Sequence, residues 1–183
     1  MNNLKELRTK SYLSFFIKDR NNADYILYFG LNRYICFQTK NNNMYNIVKQ
    51  AHSGIAYLAL ILLAVAAISA IIGLVSKREF KESDRKLALF ALIFTHLQLL
   101  GGIILYFVSP VVQGFGVAMK DSTLRLYALE HPLMNIIAVI LITIAWSKHK
   151  KTTDSSKKFK LFAILYTLGL VLILSRIPWN VWP

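Results

Sequence analysis

Four long apolar runs follow one another along the chain from residue 52 onward, and polar segments separate them. The runs cover residues 52–76, 87–108, 131–147 and 160–178. A bilayer core of about 30 Å needs roughly 20 apolar residues in a helix that rises 1.5 Å per residue, and the first, second and fourth runs are long enough. The third is shorter, so we extend it upward to residue 129. The pattern predicts an all-α integral membrane protein, built as an up-and-down bundle of four helices.

Basic residues are concentrated between these spans. The chain is 55% hydrophobic, and its formal net charge of +13 would also suit a nucleic-acid-binding protein. However, only Lys120 and Arg125 lie between the second and third spans, whereas the other two loops hold many more. Those residues are Lys77, Arg78, Lys81, Arg85, Lys86, Lys148, Lys150, Lys151, Lys157, Lys158 and Lys160. The asymmetry favours the positive-inside rule over a basic binding face.

This charge distribution predicts the topology. We expect both basic loops in the cytoplasm and both termini outside. The partner is then the lipid bilayer, and we expect no nucleic acid. Trp179 and Trp182 at the outer side and Trp146 at the inner side fit the aromatic belts found at headgroup level.

Residues 1–43 differ from the rest of the chain, because they are polar, basic and only locally aromatic. Outside the membrane such a basic tail would strain the predicted topology. We expect either that the biological start is Met44, or that the tail is a poorly ordered extension with a pair of short strands around residues 25–37. The transmembrane domain is predicted to cover residues 44–183.

The polar residues of the spans fall into two layers. His52 and His131 begin the first and third spans, and Arg176 ends the fourth, so all three are expected at one outer depth. His96 lies deeper, about 15 Å below that layer by helical rise. Because diagonal helices of a bundle are roughly 11 to 14 Å apart, His52 and His131 could grip a planar macrocycle edge-on. We rank this pair above any pairing with His96.

Several of these residues have a simpler interpretation. His96 could be a neutral imidazole bonded to a threonine, a glutamine or a carbonyl group, or it could be a deeper ligand or a proton relay. Arg176 could bind carboxylates or act as an interface anchor. His149 is predicted to be an exposed loop histidine. Pro132 either begins a helix or kinks a longer one capped by Ser122 or Thr123.

The first span also carries a stripe of small residues at helical spacing. The stripe consists of Ala56, Ala59, Leu63, Ala66, Ala70 and Gly73. Such a stripe admits either a closely packed neighbouring helix or a flat cofactor. Cys36 is the single cysteine, so an internal disulfide and a two-cysteine haem attachment are both excluded. Any cofactor must be held by histidine, carboxylate, methionine or backbone groups.

The chain resembles the short bacterial four-span proteins labelled cytochrome b or cytochrome-b-like. The likeness covers about residues 44–183. It is carried by Ala51-His52-Ser53-Gly54, by Phe94-Thr95-His96-Leu97-Gln98-Leu99-Leu100-Gly101, by Glu130-His131-Pro132-Leu133-Met134 and by Arg176-Ile177-Pro178-Trp179. The resemblance implies a b-type haem held by span histidines, which makes His52, His96 and His131 candidate ligands. The paired histidines of the larger cytochromes b do not occur here, so one haem at most is expected.

Three functions remain open at this point. The first is a membrane electron carrier, in which His52 and His131 ligate one haem b, Arg176 holds a propionate, and electrons pass between quinol and a redox partner protein. The second is a copper, iron or zinc site without haem, formed by His52, Glu130 and His131 with Met134 or His96. The third is a non-catalytic accessory subunit whose histidines bridge helices. No nucleophile with a base partner supports a hydrolase or a transferase.

Overall fold

The computed structural model describes residues 23–109, 115–180 and 182, and these residues form helices and no strands. The helices are α1 (Ala23–Val75), α2 (Glu82–Val108), α3 (Phe115–Ala118), α4 (Ser122–Arg125), α5 (His131–His149) and α6 (Ser155–Ser175), with a π-helical turn at Leu126–Glu130. The all-α prediction is therefore confirmed.

Four helical stretches are long and apolar enough to cross a membrane. They are Asn43–Val75, Glu82–Val108, Ser122–His149 and Ser155–Ser175. All four coincide with predicted spans, and the chain is a multi-pass membrane protein. The helices extend past several predicted boundaries because polar residues at a membrane surface can stay helical. The exposed apolar side chains of α1 include Leu58, Ile61, Val65, Ile68 and Ile72, spaced as one lipid-facing stripe.

The chain divides into two compact units, Met1–Asn43 and Met44–Pro183. Within the first unit the described residues, from Ala23 onward, are helical. The pair of strands expected around residues 25–37 is therefore wrong. Aromatic and β-branched residues favour strands only weakly, and that local preference did not decide the outcome here. Residues 1–22 lie outside the described part of the chain, and a start at Met44 stays a prediction.

The core of the second unit lies where large side chains of α6 meet small residues of α1. Leu63, Phe159, Phe162 and Tyr166 are all at most 2% exposed. Ala66 and Ala70 belong to the same buried cluster, so the stripe from Leu63 towards Gly73 packs against α6. The space that remains beside Ala66 and Phe162 is a cavity of about 10 Å³. In this part of the stripe the small residues serve helix packing.

The third span is one long helix that Pro132 interrupts without ending. Asp121 caps its first turn by accepting a hydrogen bond from the Leu124 amide at 2.8 Å, so the cap lies before both expected candidates, Ser122 and Thr123. Proline lacks an N–H and crowds the carbonyl four residues earlier, and the π-helical turn widens the helix at that place. The freed Ala128 carbonyl accepts a hydrogen bond from the Tyr106 hydroxyl at 3.3 Å.

His149 is buried, which contradicts its assignment to an exposed loop. It is the last residue of α5 and only 3% exposed. Its Nδ1–H donates to the Trp146 carbonyl at 2.5 Å, and its ring centroid lies 5.0 Å from that of Phe162. The lysines next to His149 in the sequence predicted a solvent-exposed side chain. In the structure, aromatic side chains such as that of Phe162 cover the imidazole ring.

Candidate functional site

The His52 side chain of α1 and the His131 side chain of α5 face each other at one end of the helix bundle. We call this end the histidine end. Their ring centroids are 6.4 Å apart, and the ring planes are nearly perpendicular at 84°. Their side chains come from different spans, far apart in the chain. The structure therefore brings together the two histidines that were expected at one depth.

The backbone carbonyl of Arg176, at the end of the fourth span, orients the His131 ring. Its Nδ1 lies 2.8 Å from the Arg176 carbonyl oxygen. A carbonyl only accepts hydrogen bonds, so Nδ1 carries the proton, and Nε2 of the neutral ring keeps its lone pair. The Asn135 amide is 3.3 Å from the same Nδ1, but its shorter bond, 2.7 Å, goes to the His131 carbonyl. Ligand histidines are commonly held in this way through the other ring nitrogen.

Gln98 of α2 orients His52. The amide nitrogen of Gln98 lies 3.2 Å from His52 Nε2 and donates a hydrogen bond to it. His52 Nδ1 and Gln98 Oε1 are buried and have no hydrogen-bond partner among the described residues. An unpaired buried polar group costs about 1–3 kcal/mol. Here two such atoms lie on neighbouring side chains.

A glycine pair in α2 makes room for the His52 ring. A Cβ atom added at Gly102 would lie 3.1 Å from His52 Cε1, whereas one added at Gly101 would lie 3.6 Å from His52 Nδ1. The first distance is tighter than ordinary van der Waals contact, and the second is not. Gly102 therefore allows the imidazole to approach the backbone of α2.

The glycine pair offers a matched test of how His52 is held. We expect Gly102→Ala to displace the imidazole by a few tenths of an ångström and to weaken its contact with Gln98. Gly101→Ala changes helix propensity equally but leaves the ring in place. Imidazole ¹⁵N chemical shifts of His52 measure the displacement. If both variants moved the His52 signals equally, the close approach of Gly102 to the imidazole would have no role in holding the ring.

Charged residues beside His131 form a short network. The Glu130 carboxylate lies 2.9 Å from Arg125 Nε and 3.4 Å from Arg176 Nε. Because two guanidinium groups occupy this carboxylate, it is a poor third ligand for a metal held by His52 and His131. No group of three His, Cys, Asp or Glu side chains that could hold a metal ion occurs within the described ranges.

His96 takes no part in the histidine pair. Its Nδ1 donates to the Leu92 carbonyl at 2.8 Å, and its Nε2 lies 3.3 Å from the Thr143 hydroxyl. The side chain is exposed on the surface of the bundle. These partners, a threonine and a carbonyl group, are among those expected in the simpler interpretation of His96.

Sequence reasoning gave a glutamine only as one possible partner of His96, and it did not connect Gln98 or the glycine pair with His52. Helical spacing contained the missing signal. Gly101 and Gly102 follow Gln98 by three and four residues and share its face, whereas His96 precedes Gln98 by two and points elsewhere. The contact between Arg125 and Glu130 was also missed. Its only signal in the sequence is their separation of five residues.

The fold and these contacts define a four-span membrane protein. At one end of its helices lie two neighbouring histidines, and each of them is hydrogen-bonded to another residue of the bundle. Comparison with known proteins found no match, either to a protein-family model, to a curated protein or to a solved structure. The histidine end itself therefore carries the functional argument.

Proposed function

We propose that this chain is a membrane-embedded b-type haem protein that carries electrons between quinol and a redox partner protein at the outer face of a bacterial inner membrane. His52 and His131 would hold one haem through their imidazole nitrogens. The 6.4 Å spacing of their ring centroids carries the proposal. Two imidazoles on opposite sides of one metal ion, each bonded at about 2.0–2.1 Å, have centroids roughly 6 Å apart.

The groups around the pair fit this role. The Arg176 carbonyl holds the proton of His131 on Nδ1, which leaves Nε2 as the ligating atom. His52 lies against Gly102 of α2, and its Nε2 lone pair, which now accepts from the Gln98 amide, would bind the iron in place of that hydrogen bond. Haem with two histidine ligands has no open iron position, and such centres transfer electrons rather than activate oxygen.

Arginines at the histidine end would bind the haem carboxylates. Arg176 is about half exposed, and its guanidinium already lies beside the Glu130 carboxylate. Arg125 binds the same carboxylate. Guanidinium groups recognise carboxylates in a two-pronged geometry, so a propionate could share or replace Glu130. The resemblance to cytochrome-b-like proteins agrees with this proposal and adds His96 as the rival ligand.

The absorbance spectrum of the purified protein tests the proposal. The full chain is produced in haem-replete cells, purified in detergent, and measured reduced minus oxidised. We expect a b-type difference spectrum with one haem per chain. Metal analysis of the same sample distinguishes haem iron from a site without haem. A colourless protein that is folded by circular dichroism would contradict the proposal.

One observation favours a second function, a non-catalytic accessory subunit. Both histidines already connect separate helical segments, His52 through Gln98 and His131 through the Arg176 carbonyl. Histidines that only bridge helices would serve assembly and need no cofactor. In that case the protein is colourless, and alanine variants at both positions change its stability alone.

A further inference from the structure

The connection between α5 and α6 carries an unusually one-sided charge. Residues 148–160 contain six lysines and one acidic residue, Asp154, so their net charge is +5 with His149 neutral. Asp154 caps α6 by accepting hydrogen bonds from the Ser156 and Lys157 amides. Every lysine of this segment is exposed except Lys158, which is half-buried. We call these six residues the lysine surface: Lys148, Lys150, Lys151, Lys157, Lys158 and Lys160.

The neighbouring basic loop carries less net charge, although it lies at the same end of the bundle: residues 77–86 hold five basic and three acidic residues, a net charge of +2. Arg78 makes an ion pair with Asp84 at 2.7 Å, and Arg85 makes one with Glu82 at 2.5 Å. The hydrogen bonds to Asp84 raise the pKa of the Arg78 guanidinium above its ordinary value. No residue of the lysine surface makes an ion pair with any described residue. Its charge is therefore available to an external partner.

Aromatic rings hold part of the lysine surface close to the ends of the helices. The Lys150 ammonium lies 5.1 Å from the centre of a Trp146 ring, and the Lys158 ammonium lies 5.3 Å from the Phe80 ring centre. Such cation–π contacts are attractive. They keep positive charge at the level where α5 and α6 leave the apolar region, which is the level of lipid headgroups.

We propose that the lysine surface binds the phosphate groups of anionic phospholipids. The ligand must be an anion, because the surface offers several ammonium groups and only one carboxylate, which the helix cap occupies. Lipid is the source that the placement favours, since the ammonium groups flank the ends of two membrane-spanning helices. Each lysine near an anionic membrane surface contributes to this attraction, and phosphate accepts several hydrogen bonds at once. The neighbouring loop contributes much less, because the carboxylates of Glu79, Glu82 and Asp84 lie beside its lysines and repel anionic lipid.

Two triple variants of the full chain test the proposal at equal net charge. Lys150→Gln, Lys157→Gln and Lys158→Gln alter the lysine surface, and Lys77→Gln, Lys81→Gln and Lys86→Gln alter the neighbouring loop. Each protein is placed in vesicles of phosphatidylcholine with a fraction of phosphatidylglycerol, and spin-labelled lipids report its preference. We expect the preference for phosphatidylglycerol to fall by roughly tenfold or more in the first variant. The second variant should keep most of it.

Other results would overturn the proposal. An equal loss in both variants would assign the effect to net charge, and no loss in the first would show that the lysine surface binds no lipid. If inorganic phosphate at millimolar concentration abolished the preference, a soluble anion would be the ligand. Circular dichroism checks that each variant is folded. Should the first variant fail to fold, the exposed set Lys148→Gln, Lys151→Gln and Lys160→Gln takes its place with the same expected loss.

Discussion

Replacing either His52 or His131 by alanine is expected to abolish the b-type absorbance of the purified protein. Under the proposed function both imidazoles would hold the haem iron, and the loss of either would remove one of the two protein groups that bind it. The measurement is the reduced-minus-oxidised difference spectrum, normalised to protein. Free imidazole added to the His52→Ala protein should restore part of the signal.

His96→Ala is the matched control for these two variants. It removes an imidazole from the same bundle, but this ring contacts Leu92 and Thr143 and not the histidine pair. We expect its difference spectrum to match that of the unaltered protein. A spectrum lost in His96→Ala and kept in His52→Ala would instead assign the ligand role to His96. Normal spectra in all three variants would refute histidine ligation altogether.

Gly73→Ala is expected to destabilise the folded protein by about 1–3 kcal/mol, the usual cost of overpacking a core. A Cβ at this position would lie closer than 3.0 Å to three ring carbons of Phe159. The ring cannot swing aside, because it is 1% exposed, packs against Phe80 at 5.1 Å and lies beneath the Arg78 guanidinium. The steric cost exceeds the gain in helix propensity, which is at most about 1 kcal/mol.

Gly54→Ala is the control within the same helix. A Cβ at Gly54 meets no described atom within 4 Å, and the residue is exposed. This variant should be as stable as the unaltered protein or slightly more stable. Thermal unfolding in detergent micelles, followed by circular dichroism, compares the two. If Gly73→Ala unfolded at the same temperature as Gly54→Ala, the close packing of α1 against Phe159 would be contradicted.

Single residues show where sequence reasoning reached its limit. His52 and His131 could be placed at one depth, because depth follows from counting residues along a helix. Gln98 was not connected with His52, since its direction around α2 depends on which neighbours α2 packs against. His149 looked solvated among lysines, yet side chains from Phe80 and Phe162 cover it.

The third span also shows what the sequence could predict and what it left open. Its sequence left two alternatives for Pro132, a helix start or a kink in a longer helix, because proline is compatible with both. The choice depended on contacts made elsewhere. Asp121 supplies a cap for an earlier start, and the Tyr106 hydroxyl from α2 satisfies the Ala128 carbonyl that Pro132 leaves without an amide.

The sequence by itself determined that this is an all-α protein with four membrane spans. The bilayer demands a certain length of apolar residues and internal backbone hydrogen bonds, and helices satisfy both conditions locally. Only the tertiary structure decided which polar groups meet, since the rotation of each helix about its axis depends on contacts such as that between Gly73 and Phe159. These contacts turn His52 towards His131 and Gln98, and leave His96 on the surface of the bundle.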